Sequence, residues 1–393
     1  MESSNRQLVL SGADGLARSA AKYLEGKRFG VLTNPTGVTR DFRSTVDVCA
    51  NQKAGQLTAL FACEHGIRGE RQAGILFEDE TDPDLGIPVY SLYGKHRAPT
   101  PDMLETVDAI VFDFQDLGVR FYTYLTTLIY TMQACAKAGK ELIVLDRPNP
   151  LGGLTVEGGI LRDGFQSMVG GWKIPIRTGL TIGEFARLVN DQSETKCQLQ
   201  VVPLEGWSRG MEYPETGLPW IMPSPNMPTM DTVRVYAGTC FFEGTNLSEG
   251  RGTTKPFELI GAPWLDGKRV AEEMNRRGLP GVVFHPAYFT PMFSKHKGEL
   301  CGGVQVYVTD PKAYNAVRSG LYLLQHIQQT HSEHFAWLPP FKEGSKSFIE
   351  LLTGGDRVKH TLHEPGAAEK IADDWDLEAA EWAKTSEPYL LYE

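Results

Sequence analysis

Four short apolar runs in the first 150 residues each end in polar residues: RFGVLTN (28–34), LTALFACEHG (57–66), VDAIVFDFQDLG (107–118) and ELIVLDRPNP (141–150). The runs are nearly continuous rather than alternating, as expected of parallel strands covered on both faces. STVDVCANQKAG (44–55) and FYTYLTTLIYTMQACAKAGK (121–140) lie between them and predict helices. The second places Leu125, Leu128, Ile129 and Met132 at helical spacings and has Gly139 to close it. Repeated strand–helix–strand alternation predicts a doubly wound α/β domain.

Farther along, GLTIGEFARLVND (179–191) offers Thr181 as an N-cap with Glu184 three residues on, a capping box. CQLQVVPLEGW (197–207) predicts another strand. LPWIMPSPNMPT (218–229) holds four prolines in twelve residues, which suits a rigid wall or linker. The pattern then changes, and we place a boundary near residue 230. PGVVFHPAYFTP (280–291) and GGVQVYVTD (302–310) predict strands; AYNAVRSGLYLLQHIQQTH (313–331), SFIELLTGGD (347–356) and IADDWDLEAAEWAKTSEPY (371–389) predict helices. The last opens on acidic groups that suit a helix N-terminus. Residues 1–230 thus form the α/β domain, and 231–393 a smaller α+β domain that closes the cleft.

Ligands of open parallel sheets bind beyond the C-terminal strand ends. The four runs end there in Asn34, in Glu64 and His65, in Asp113 and Asp116, and in Asp146, Arg147 and Asn149. Neighbouring strands lie about 4.8 Å apart, so these endings can share a pocket. Glu64 and Asp116 form a candidate carboxylate pair of the kind used in glycosidic bond cleavage. Alternatively, these acids satisfy loop amides or pair with Arg68 and Arg120, which are themselves candidates to grip a substrate carboxylate. His65 can serve as a base, a donor or an orienting group. A second polar cluster, GTCFFEGTNLSEGRGTTKPF (238–257), is too polar and irregular for an element interior. It brings Glu243, Asn246, Glu249 and Arg251, with Phe241, Phe242 and Phe257 as candidate sugar-stacking faces. Trp172 and SPNMP (224–228) would help to wall a deep cleft.

Composition narrows the chemistry. The net charge of −10, from 49 acidic and 39 basic residues, opposes general nucleic-acid binding. Six dispersed cysteines form no CxxC pair, and HExxH is absent, so no metal is expected. LTNPTG follows a strand but is neither GxGxxG nor GxxxxGK[ST], which weakens a nucleotide-using transferase or oxidoreductase; no cofactor is expected. There is no GxSxG elbow, and Cys63, beside an apolar run, predicts core packing rather than a nucleophile. No apolar run approaches membrane-spanning length. The N-terminus does not resemble a signal peptide, which leaves a cytoplasmic protein or a trimmed mature form of a periplasmic or secreted one.

TNPTG (33–37), EHGIRG (64–69), FDFQDLGVRFYTY (112–124), DRPNP (146–150), PSPNMP (223–228) and EGTNLSEGRGTTKPFE (243–258) occur in order and resemble the exo-β-N-acetylmuramidase family, from about Leu16 to the C-terminus. The resemblance implies a Rossmann-like catalytic domain with a smaller ancillary domain. It implies removal of N-acetylmuramic acid (MurNAc) from the non-reducing end of peptidoglycan-derived MurNAc-GlcNAc fragments, without a nucleotide. It also implies that Glu64 is catalytic, with His65 and Arg68 in the same motif; Asp116 stays the candidate partner. The lactyl carboxylate of MurNAc gives Arg68 and Arg120 a purpose, and Asn34, Tyr122, Asp146, Asn226, Glu243, Asn246, Glu249 and Arg251 complete the expected binding set. A non-catalytic muropeptide-binding protein is the competing reading.

Overall fold

The computed structural model describes residues 8–64, 66–69 and 78–393. Ten strands are present among them: β1 (Arg28–Thr33), β2 (Gln56–Ala62), β3 (Glu80–Thr81), β4 (Pro88–Ser91), β5 (Ala109–Asp113), β6 (Glu141–Leu145), β7 (Gln198–Val202), β8 (Leu259–Ala262), β9 (Val282–Phe289) and β10 (Cys301–Val308). The first seven make one sheet in the order β3-β4-β2-β1-β5-β6-β7. All its pairs are parallel except that of β3 with β4. From β1 the chain winds outward through β2 and β4, returns to β5 on the other side of β1, and winds outward again. The direction therefore reverses at β1 and β5, where an open sheet leaves a crevice beyond its strand ends.

The continuous apolar runs follow from burial on both faces. Phe29, Val31, Leu60, Ala62, Val111, Ile143 and Leu145 pack on one side with Leu16 and Leu24. The alternate residues Leu32, Phe61, Ile110, Phe112, Leu142 and Val144 face the larger core with the helix Tyr124–Ala138. That helix ends at Gly139, whose φ of +66° is the left-handed cap its position requires. The capping box is present: Thr181 Oγ1 accepts from the Glu184 amide (3.2 Å) and Glu184 Oε2 from the Thr181 amide (3.0 Å).

The smaller unit is an antiparallel sheet, β8-β10-β9, packed against helices. The segment expected to be a loop from 238 opens differently: Met230–Thr239 is a helix and Cys240–Gly244 a 3₁₀ turn. Gly238 hides this helix in the sequence because glycine disfavours helix interiors. It is there for close approach, since a Cβ at Gly238 would lie 1.9 Å from the Ala316 carbonyl, and one at Gly320 would lie 2.4 Å from that of Gly238. The last helix also begins earlier than its acidic run suggests, at Ala367. Asp373 and Asp376 therefore sit mid-helix and pair with Arg318, each at 2.7 Å, and Asp374 pairs with Arg357. The C-terminal segment then returns to the large sheet, where Tyr392 Oη donates to Asp146 Oδ2 at 2.5 Å.

Candidate active site

β2 and β4 end side by side, Ala62 opposite Ser91, and the Leu92 amide donates to the Ala62 carbonyl at 2.8 Å. Two residues beyond this pair stand Glu64 and Tyr93, whose phenol donates to Glu64 Oε1 at 3.0 Å. Parallel register thus brings a carboxylate from one loop to a phenol from the next. Glu64 borders two cavities, which also share Thr123.

The smaller cavity, 210 Å³, lies between the two units. The large unit contributes Glu64, Phe121–Tyr124 and the proline-rich segment through Ser224, Asn226 and Met227. The small unit contributes Tyr236, Glu243, Arg251, Phe257 and Phe348. Burial pushes the Tyr122, Tyr124 and Tyr236 phenols well above their ordinary values, so they remain neutral hydroxyls. Tyr124 is fixed at both ends of its hydroxyl, donating to the Pro223 carbonyl (2.5 Å) and accepting from Asn34 Nδ2 (2.6 Å). Arg251 bonds Glu243 Oε1 through Nε (3.0 Å) and Nη2 (2.5 Å), and lies 5.2 Å over the Phe257 ring. Burial alone would lower Arg251, but Glu243 and Glu249 hold its guanidinium above the ordinary value. The larger cavity, 420 Å³, is lined by Cys63, Leu92, Tyr93, Gly94, Arg97, Thr127 and Met168 beside Glu64 and Thr123.

Five expected site residues therefore line these cavities: Glu64, Tyr122, Asn226, Glu243 and Arg251. Asn34 and Glu249 stand one layer back. Asn34 positions Tyr124, and buried Glu249 pairs with Arg251 (3.2 Å) and Lys295 (2.7 Å). His65 lies outside the described residues. The remaining candidates line neither cavity, for reasons visible in their partners. Asp116 turns into its own loop and accepts from the Gly118 amide at 2.6 Å. Arg120 is buried and spends its guanidinium on the carbonyls of Gly159, Ile174 and Leu352, tying the two units together. Arg68 pairs with Asp82 (2.9 Å) and Asp84 (3.0 Å). Asp146 clamps the end of β6, accepting from Thr181 Oγ1, Tyr392 Oη and the Arg147 and Gly183 amides. Asn246 joins two loops through the His334 carbonyl and the Ala336 amide. Phe241 and Phe242 are core residues, and the Trp172 indole N–H donates to Gln192. Cys63 is buried, and burial pushes its thiol up, away from a nucleophile's range.

Tyr93, Thr123, Tyr236, Arg97 and Met168 are wall residues that the sequence pattern missed. Tyr93 and Arg97 follow a strand of only four residues, too short to show a period. Among the described residues no group of His, Cys, Asp and Glu could hold a metal ion, and no helix is long and apolar enough to cross a membrane.

Asp116 carries a testable signature. Burial pushes its carboxyl from 3.8 up to about 7, against the opposing pull of the Gly118 and Leu117 amides. A folded-state value above the unfolded one stabilises the protein in the protonated form. That contribution is complete below 3.8 and is lost as pH rises through about 7. Asp116→Asn keeps an acceptor for Gly118 and cannot ionise. The variant's unfolding free energy relative to wild type should therefore climb between pH 4 and 7 and level off above. Urea denaturation across this range checks it; a pH-independent difference would show that Asp116 ionises freely in the fold.

Comparison with known proteins adds independent findings. Residues 29–231 match the family model described as exo-beta-N-acetylmuramidase NamZ, N-terminal, and residues 234–392 match its C-terminal counterpart. The peptidoglycan beta-N-acetylmuramidase NamZ of Bacillus subtilis (strain 168) is 44% identical over 391 residues, covering 100% of this chain and 93% of that protein. Two crystal structures of DUF1343 family proteins from Bacteroides fragilis NCTC 9343 are similar. One has a TM-score of 0.90 at 36% identity, covering 99% of this chain and 100% of that one. The other has a TM-score of 0.76 at 30% identity, covering 98% and 99%.

Proposed function

This chain belongs to the exo-β-N-acetylmuramidase family, and we propose that it hydrolyses the terminal non-reducing MurNAc residue from peptidoglycan-derived MurNAc-GlcNAc fragments. The observation that carries the reading is the place of Glu64, on the wall shared by two cavities. A glycosidic bond at Glu64 puts one sugar in each cavity. Directional hydroxyls and amides, with aromatic faces beside them, supply what sugars bind.

Glu64 donates a proton to the glycosidic oxygen as the bond to the anomeric carbon breaks, and water supplies the hydroxyl that the carbon gains. Tyr93 holds the carboxyl in place. Positive charge develops at the ring, and a second carboxylate opposes it or activates the water. Asp116 does not line either cavity, whereas Glu243 shares the smaller one with Glu64 and is held by Arg251. We therefore assign Glu243 to the sugar bound in the smaller cavity, where it accepts from that sugar's hydroxyls. Glu243→Gln should raise KM on the disaccharide by up to about tenfold with kcat within a few-fold of wild type. A kcat lowered by about 100-fold or more would instead place Glu243 in the chemistry.

Incubation of the protein with a defined MurNAc-GlcNAc disaccharide tests the function. Free MurNAc and GlcNAc in equal amounts are expected. Saturable binding without release would instead favour a non-catalytic muropeptide-binding protein.

A further inference from the structure

Arg68 pairs with Asp82 and Asp84 and Arg120 with backbone carbonyls, and the loop after β4 offers the substrate's anionic group a further cation. YGKHRAP (93–99) is the stretch that presents Tyr93 to Glu64, and it carries Lys95, His96 and Arg97 in succession in a chain of net charge −10. Arg97 lines the larger cavity, with Glu64 on the same wall. Among the described residues neither Lys95 nor Arg97 is engaged in an ion pair or hydrogen bond through its side chain. The smaller cavity also has an arginine, but Arg251 is taken up by Glu243 and Glu249.

Resting on the muramidase reading, we propose that the larger cavity receives the MurNAc ring and that Arg97 binds its free lactyl carboxylate. Two arguments converge. MurNAc is the bulkier of the two sugars by its lactyl ether, and it is the charged one. The 420 Å³ cavity has both the greater room and the uncommitted cation, whereas the 210 Å³ cavity, with its charges paired and its walls aromatic, suits neutral GlcNAc. A guanidinium offers a carboxylate two parallel N–H donors, a fit that an ammonium lacks. The loop would then do two jobs from adjacent positions. Tyr93 orients the acid at the bond to be cut, and Arg97 selects the sugar whose bond it is.

The test pairs two substrates with three enzymes. MurNAc-GlcNAc and the same disaccharide with its lactyl acid converted to the primary amide are given to wild type, Arg97→Gln and Arg97→Lys. Wild type should prefer the acid. Arg97→Gln should lose about 10- to 30-fold in kcat/KM on the acid, a loss discounted for the exposure of Arg97, and little on the amide. Arg97→Lys should retain part of the preference. Equal losses on both substrates, or an unchanged preference for the acid, would overturn the assignment while leaving the muramidase reading intact. Wild type that cleaves neither disaccharide would overturn that reading and this inference with it. Because Arg97 is exposed, thermal midpoints should match wild type within a degree or two, separating recognition from folding.

Discussion

Glu64→Gln should lower kcat on MurNAc-GlcNAc by about three orders of magnitude and leave KM within a few-fold, because general acid catalysis contributes about 10²–10⁴ and the substitution removes only the proton. The geometry makes this an informative change. Glutamine is close to glutamate in shape, and its carbonyl can still accept the Tyr93 phenol that meets Glu64 Oε1 at 3.0 Å. The leaving group separates the possible roles. An aryl MurNAc glycoside with an acidic phenol needs little protonation, so a variant lacking the acid should recover much of its rate on that substrate. A variant lacking a nucleophile should stay slow on both. Full activity of Glu64→Gln on the disaccharide would move the chemistry away from the shared wall and would sink the assignment of Glu64, though not the family membership.

The sheet was legible because its signal is local. Phe29 and Val31 face one core and Leu32 the other, so β1 must be apolar throughout, and a short run shows it. Gly139 and the Thr181–Glu184 box mark helix ends through contacts a few residues apart. Glu64 stood out for the same reason, as a charge closing an apolar run. What the pattern did not reveal is which strand-end charges face a ligand and which face each other. Arg120 is consumed by carbonyls 39, 54 and 232 residues away. Asp116 looks like a partner for Glu64 in one dimension, yet it bonds an amide two residues on. Both roles need polar residues at the same strand ends, and only the folded chain separates them. Tyr93 shows the converse limit: its link to Glu64 depends on the pairing of β2 with β4, a four-residue strand.

Asp113 and Arg147 make the same point energetically, and Arg147→Ala should be among the most destabilising single substitutions in the large unit. Asp113 ends β5 with its side chain fully buried, and the side chain of Arg147, just beyond β6, is only 5% exposed. Arg147 donates to Asp113 Oδ1 through Nε (2.5 Å) and to Oδ2 through Nη2 (2.8 Å), while Nη2 also reaches the Val38 carbonyl (2.9 Å). Burial would lower Arg147, but Asp113 holds it above its ordinary value, so it stays charged. Truncation leaves Asp113 in the interior with Thr45 Oγ1 as its remaining side-chain donor. Removing one partner of such a pair costs about 3–5 kcal/mol, chiefly from the charge left behind. That is a large share of a typical domain's total stability, about 5–15 kcal/mol. Urea denaturation at neutral pH measures it, and a loss below about 1 kcal/mol would show that water reaches Asp113. Replacing both residues, Asp113→Leu with Arg147→Met, removes the stranded charge. The double variant should therefore be more stable than Arg147→Ala, although the Val38 carbonyl loses its donor and Thr45 its acceptor. This pair joins the ends of two central strands on the side of the sheet where β5 runs on into the Phe121–Tyr124 wall. Loss of the pair should for that reason raise KM before the protein unfolds.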